Sequence, residues 1–154
     1  MDGKLAWRAV WLVLLLSLLS LLSLGSARAE EDPGRVLEAM FEWWNEAYQD
    51  PEGFTPEAFA RYYTEDAVMI INGNLRGVGP VALARHFRNI QAATEAVEIE
   101  LPFDQGFSAG SRTFTSHLVH SRRDGVEHRE RVVGYALITD GRIALINFVG
   151  TPAP

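Results

Sequence analysis

The 154 residues carry 14 lysines and arginines against 20 aspartates and glutamates, a net charge of −6 at pH 7, and no cysteine. Without cysteine there is no disulfide, no thiolate nucleophile, no cysteine-ligated zinc and no lipid held through a thioether. The basic residues are scattered through an acidic chain, so no cationic stripe exists to displace phosphate counterions, and nucleic acid is not an expected partner.

Lys4 and Arg8 flank the start of an apolar run, Ala9 to Leu24, broken only by Ser17, Ser20 and Ser23. Ala27-Arg28-Ala29 then sets small residues at the two positions a signal peptidase reads. The run is shorter than the ~20 apolar residues of a membrane span. Residues 1–29 are therefore expected to be a signal peptide, meeting the membrane only during export, and the product to be periplasmic or secreted. Loss of Lys4, Arg8, Arg28 and Asp2 with that leader leaves 11 basic against 19 acidic residues in 30–154, a net charge of −8. That length suits one domain with a core of its own.

Asp32 followed by Pro33 is an N-cap and first-turn pair, since the carboxylate accepts from orphan amides and proline lacks one. The helix it opens places Leu37, Met40, Phe41, Trp44 and Tyr48 on one face and stops before Pro51-Glu52-Gly53. Thr55-Pro56-Glu57 repeats the cap and starts a short helix with Phe59 and Tyr62 inward. An apolar run, Ala67 to Ile71, reads as a buried strand, and a Gly-rich break follows it. Gly79-Pro80 opens a third helix with Leu83, Ala84, Phe87 and Ile90 as its stripe. From Val97 the period becomes two, and Val97–Leu101, Arg112–Ser121, Val126–Ile138 and Arg142–Val149 read as strands. They are joined at Asp104-Gln105-Gly106, Arg123-Asp124-Gly125 and Asp140-Gly141, the Asp-Gly pairs being hairpin turns.

The stretch from Phe59 to Phe87, FARYYTEDAVMIINGNLRGVGPVALARHF, has the order helix, buried strand, polar loop, helix. With the strands that follow, it resembles the nuclear transport factor 2-like superfamily, which includes the SnoaL-like cyclases and ketosteroid isomerases. The markers are Tyr63-Thr64-Glu65-Asp66-Ala67-Val68, Gly77 to Phe87 and Asp140-Gly141-Arg142-Ile143, within a resemblance covering Asp32 to Gly150. It implies an α+β cone over 30–154: three N-terminal helices packed on a curved, mostly antiparallel sheet enclosing a pocket. The residues depart from ketosteroid isomerase chemistry. The position of the general-base aspartate is Ile71, and the oxyanion-donating tyrosine falls near Trp43 or Trp44. Isoleucine has no lone pair and an indole shuttles no proton. Dehydratases of the scytalone type use pocket histidines with helix-1 aromatics, which Tyr48 would match, but the aspartate expected after that tyrosine is Gln49. A third family position, a carboxylic acid on the penultimate strand, aligns with Glu130.

Strand parity extends this reading. If Arg122 to Gly125 form a four-residue loop, His117 lies directly across from Glu130. A two-residue loop at Asp124-Gly125 shifts the pairing and keeps the faces. Either way Thr115, His117 and Val119 share a face with His128, Glu130 and Val132, continued across Asp140-Gly141 by Leu145, Asn147 and Val149. Met69 and Ile71 join them from the first strand. The expected catalytic pair is His117 with Glu130, a carboxylate orienting an imidazole and raising its basicity. Trp44, Tyr48, Met69, Ile71, His128, Val132 and Asn147 are the expected ligand contacts, with Tyr48 or Asn147 holding an oxygen that gains charge. On the other reading His117 and Glu130 are a cross-strand pair on a solvated face.

His117 and His120 lie on opposite strand faces, so His117, His120, His128 and Glu127 make no expected metal site. Neither Ser108 nor Ser116 sits on a strand-to-helix turn of the kind a hydrolase nucleophile needs. The opposite sheet face, Val133, Tyr135 and Leu137 against Ala144, Ile146 and Phe148, is too apolar for water and is expected to pair two copies as a homodimer. The functional expectation is a cofactor-independent isomerase, cyclase or dehydratase moving protons on a small hydrophobic carbonyl compound. The alternative is a non-catalytic periplasmic ligand-binding or dimerisation module of the same fold. The discriminator is whether His117 and Glu130 are both inward and within hydrogen-bond reach, and the module is the better reading if either points outward.

Overall fold

The computed structural model describes residues 32–154; the expected signal peptide lies outside the described residues. Helix α1 spans Pro33–Tyr48, capped by Asp32, whose Oδ1 accepts from the Gly34 N–H at 3.0 Å. Its predicted stripe is buried, with Val36 and Ala47 added. Helix α2, Pro56–Ala60, starts where Thr55 Oγ1 accepts from the Ala58 N–H. Strand β1, Tyr63–Ile71, turns at Asn72-Gly73 into β2, Asn74–Val78, and helix α3 runs Gly79–Ala93. Gly79 takes φ +74, and a Cβ there would sit 2.4 Å from the Glu65 carbonyl oxygen, so the entry to α3 requires glycine. Five strands follow: β3 Ala96–Ile99, β4 Gln105–Ala109, β5 Arg112–Arg123, β6 Val126–Thr139 and β7 Arg142–Pro152.

The strands form one curved, mixed, mostly antiparallel sheet in the order β2-β1-β7-β6-β5-β3, with β4 also paired to β5. β1 and β7 are the parallel pair. The architecture is thus the α+β arrangement expected, with helices covering the concave face. Two strands fall where breaks were predicted: β2 lies within the Gly-rich stretch and β4 begins at the expected Asp104-Gln105-Gly106 turn. Helix α1 is tied to its neighbours by side chains that act as backbone partners. Asn45 donates from Nδ2 to Ile99 O and accepts at Oδ1 from the Ile99 N–H, at 2.8 and 2.9 Å. The Tyr48 hydroxyl donates to Thr94 O at 2.8 Å. A core of aromatic side chains, Trp44, Phe54, Phe59 and Phe87 among them, fills the space between the helices.

The β5–β6 hairpin has the two-residue turn Asp124-Gly125, both at positive φ, with Arg123 opposite Val126. His117 therefore faces Val132, and Glu130 faces Val119. The predicted shared face of these two strands is present.

The continuation into β7 is not. The turn at Asp140-Gly141 sets Thr139 opposite Arg142 and Ile138 opposite Ile143, but Leu137 then pairs with Leu145, leaving Ala144 as an extra residue. A one-residue bulge exchanges the two faces of everything beyond it. Ile146, Phe148 and Gly150 consequently point inward, opposite Ala136, Gly134 and Val132. Leu145, Asn147 and Val149 join Leu137, Tyr135 and Val133 on the outer face. The predicted inward set Leu145, Asn147, Val149 and the predicted outward set Ala144, Ile146, Phe148 are both corrected by this bulge.

Gly134 occupies the middle of β6 against the inward Phe148. A Cβ at Gly134 would lie 2.1 Å from Asn147 O and 2.8 Å from the Phe148 Cα, with φ at +155. Backbone atoms cannot yield to a methyl group there. Gly134→Ala is expected to cost about 2 kcal/mol or more of stability, read as a lower urea midpoint. An unchanged midpoint would mean that β6 and β7 do not approach as described.

Candidate functional site

Between the concave face of the sheet and helices α1 and α3 lies a cavity of about 490 Å³, a size typical of small-molecule sites. Met40, Phe41 and Trp44 come to it from α1, Met69 and Ile71 from β1, and Phe87 and Ile90 from α3. The sheet adds His117 and Val119 from β5, Val132 from β6, and Ile146 and Phe148 from β7. This inner wall is apolar and aromatic. The exposed lining residues, which mark the open end, are polar: Asn72, Arg76, Arg123 and Glu130, with the half-buried His86 and Ser121 beside them.

His117 is the one titratable side chain of the inner wall that carries a charge near neutral pH when free in water, and it is only 2% exposed. Its ring is enclosed by Phe41, Phe103 and Phe148 at centroid distances of 5.2, 5.6 and 5.6 Å. Burial in this aromatic seat pushes the imidazole pKa down to about 4, partly opposed by the Asp104 carboxylate. At neutral pH the ring is uncharged. Nδ1 shares a 3.3 Å hydrogen bond with Thr115 Oγ1, while Nε2 makes none among the described residues. Trp44 Nε1 is the only described side-chain polar atom sealed from solvent without a partner, so the unpartnered Nε2 of His117 keeps access to the cavity. A neutral imidazole offers one donor or one acceptor there, according to its tautomer. The Trp44 indole N–H, by contrast, is sealed from solvent, and its ring packs against those of Tyr48, Phe54 and Phe87 at centroid distances of 5.2 to 5.5 Å.

Phe103 is held over His117 by the segment between β3 and β4. Arg131 Nη1, on the outer face, donates to Asp104 Oδ2 and also to Ser116 Oγ at 3.1 Å. This pins the residue next to Phe103 and supports the edge contact between Phe41 and Phe103 at 5.8 Å.

Of the predicted site residues, His117, Glu130, Trp44, Met69, Ile71 and Val132 all line the cavity. Glu130 stands at its open end, its Oε2 3.3 Å from where a Gly150 Cβ would be, and makes no hydrogen bond or ion pair with His117. The predicted His117–Glu130 pair is therefore not formed. A two-residue turn places Val132, rather than Glu130, across from His117. Tyr48 is buried with its hydroxyl committed to Thr94 O and lies outside the cavity lining. His128 shares the inward parity but sits near the hairpin tip, exposed and beyond the cavity. Asn147 is on the outer face, opposite Tyr135 and Ile70. Sequence reasoning missed Phe41, Phe148, Arg76, His86 and Arg123 as lining residues. Phe41 carried a signal, since it shares the α1 stripe with Trp44.

No family model matches the chain, and no curated protein matches it in sequence. Solved structures do match in shape. An NTF2-like protein from Anabaena variabilis superposes with a TM-score of 0.63 at 15% identity, covering 84% of this chain and 96% of that one. The fold is NTF2-like. A SnoaL-like polyketide cyclase, so described as putative, from Jannaschia sp. gives 0.61 at 12% identity, over 83% and 91% of the two chains. An LEH-like epoxide hydrolase from M. tuberculosis gives 0.59 at 19%, over 79% and 82%. At these identities the likeness is one of fold, and NTF2-like domains with very different named activities share it.

Keeping His117 neutral has a measurable consequence. Its folded pKa of about 4 lies below the ordinary 6.5, so between these values the unfolded chain binds the extra proton and folding loses stability as pH falls. Relative to His117→Gln, the wild-type protein is expected to lose about 3 kcal/mol between pH 7 and pH 4, read from urea midpoints at each pH. Parallel pH profiles for the two proteins would mean that the imidazole is not buried uncharged.

Proposed function

We propose that this domain binds a small, mostly apolar molecule in the cavity, with the neutral imidazole of His117 as the hydrogen-bonding anchor at its inner end. One observation carries the reading: the buried imidazole of His117, with one nitrogen unpartnered among the described residues, sits on a mostly aromatic and aliphatic wall. Apolar burial supplies affinity in such a site, and the lone polar group supplies orientation. Catalysis by proton transfer, as in a cofactor-independent isomerisation, cyclisation or dehydration of a carbonyl compound, is the second reading. It is favoured by His117 and Glu130 lining the same cavity. Against it, the carboxylate does not orient the imidazole, and a base of pKa about 4 accepts protons poorly at neutral pH.

A screen of small cyclic and aromatic carbonyl compounds by thermal shift is expected to yield stabilising ligands that also change tryptophan emission, since Trp44 lines the cavity. Val132→Trp, which fills the cavity from the sheet side, is expected to abolish that stabilisation. Hits that stabilise this variant equally would place binding elsewhere. Conversion of a hit to product, lost in His117→Gln, would favour the catalytic reading.

The domain is further proposed to act outside the cytoplasm as a homodimer. The leader pattern of residues 1–29 supports export. The outer sheet face supports pairing: Val133, Val149 and Phe107 are 44%, 47% and 65% exposed, beside Phe114 stacked on Phe107 at 4.9 Å. Native mass spectrometry of the exported protein tests both at once. The expected species is a dimer of chains beginning at Glu30, reduced to monomer by Val133→Asp with Val149→Asp. A chain still beginning at Met1 would remove the export proposal, and a wild-type monomer would remove the dimer.

A further inference from the structure

The charges at the mouth of the cavity run against those of the molecule. Residues 30–154 hold 19 acidic side chains and 11 basic ones, all arginine. Yet the lining takes two of the arginines, Arg76 and Arg123, and a single acid, Glu130. Neither guanidinium is spent on a carboxylate: the ion pairs among the described residues use His120, Arg122 and Arg131 instead. Arg123, though exposed, is tied to the cavity lining, its Nη2 donating to Thr94 Oγ1 at 3.3 Å at the C-terminal end of α3. Arg76, on β2, stands near His86 on the same helix and holds its pKa down together with burial, which is the larger effect.

From this arrangement we infer that the ligand is an amphipathic monoanion, an apolar ring or chain bearing one carboxylate, with the apolar body inside and the carboxylate at the Arg76/Arg123 mouth. The inference rests on the binding reading above and specifies its ligand class. Among the lining side chains two guanidiniums stand against one carboxylate, an excess of one positive charge that matches one negative charge on the ligand. A low-dielectric wall behind them concentrates their field at the opening. Guanidinium groups also suit carboxylates by the geometry of their paired N–H donors. The opposite end of the same molecule meets His117, whose uncharged ring tolerates an apolar neighbour or bonds a single neutral polar atom. Polar at the entrance and dry at the base is the profile of a site that admits its ligand apolar end first.

The test is a matched pair of probes differing only in charge, 2-naphthoate and 2-naphthamide, titrated into the purified protein by calorimetry at neutral pH and low salt. Naphthoate is expected to bind about tenfold more tightly than the amide, with the preference shrinking as salt is added. In the Arg76→Gln, Arg123→Gln double variant the two affinities are expected to fall within about twofold of each other, whereas the Arg→Lys pair retains a preference for the anion. Equal affinities in the wild-type protein, or a preference that survives the glutamine pair, would overturn the inference and leave the apolar cavity reading standing. Failure of both probes to bind would count against the cavity reading itself, and the inference would fall with it.

Discussion

Everything inside this molecule depends on one extra residue. Strands β6 and β7 leave their turn in simple register, and Ala144 then interrupts it, so that Leu137 meets Leu145 after Ile138 has met Ile143. Had the pairing continued without the bulge, Asn147 and Val149 would face the helices and Phe148 would face out. With it, Phe148 closes over His117, Ile146 packs against the core, and Gly150 gives Glu130 room at the mouth. The parallel strand β1 follows the same shift, since Met69 and Ile71 align with Ile146 and Phe148. The cavity wall and the outer face are thus two consequences of a single register choice.

The second constraint is electrostatic. A histidine brought to 2% exposure among three phenyl rings cannot keep a proton near neutral pH, because the charged form loses its water and gains no adjacent anion. Asp104 lies close enough to oppose this but is committed to Arg131. The outcome is an uncharged ring fixed by Thr115, which can orient a ligand but is a weak base. That balance favours the proposed binding role over catalysis. It also explains why the fold's capacity for different chemistries, evident in the named activities of its structural neighbours, does not transfer automatically: the fold supplies the cavity, and the local environment sets what each side chain in it can do.

Much of the helical layer was legible because its signals are local. The α1 stripe, the Asp32 and Thr55 caps and the Gly79-Pro80 start all involve neighbours within a few residues, and the structure uses each of them. Strands β2 and β4 were not legible, because every residue of β4 and most of β2 is exposed, and a strand wet on both faces shows no alternation. The Asn72-Gly73 pair was the one available cue to β2, as a hairpin turn with both residues at positive φ. On β7 the obstacle was different. Arg142 to Gly150 reads RIALINFVG, apolar at both parities, so alternation could not say which set turns inward. The inward parity of His117, Glu130 and Val132 was readable from the hairpin, but contact between the first two depends on which residue stands opposite, and that is fixed by turn length. Tyr48 shares the α1 stripe with Trp44, yet lies one turn nearer the helix end, where it meets Thr94 instead of the cavity.

Nitrogen-15 NMR of the histidine rings observes directly whether the imidazole on the cavity wall is uncharged. The ring nitrogens of His117 are expected to keep the chemical shifts of a single neutral tautomer down to about pH 5, well below the ordinary histidine range. His117 nitrogens that instead pass through the shifts of a charged ring near the ordinary pKa of 6.5 would contradict the enclosure, and with it the cavity wall as described.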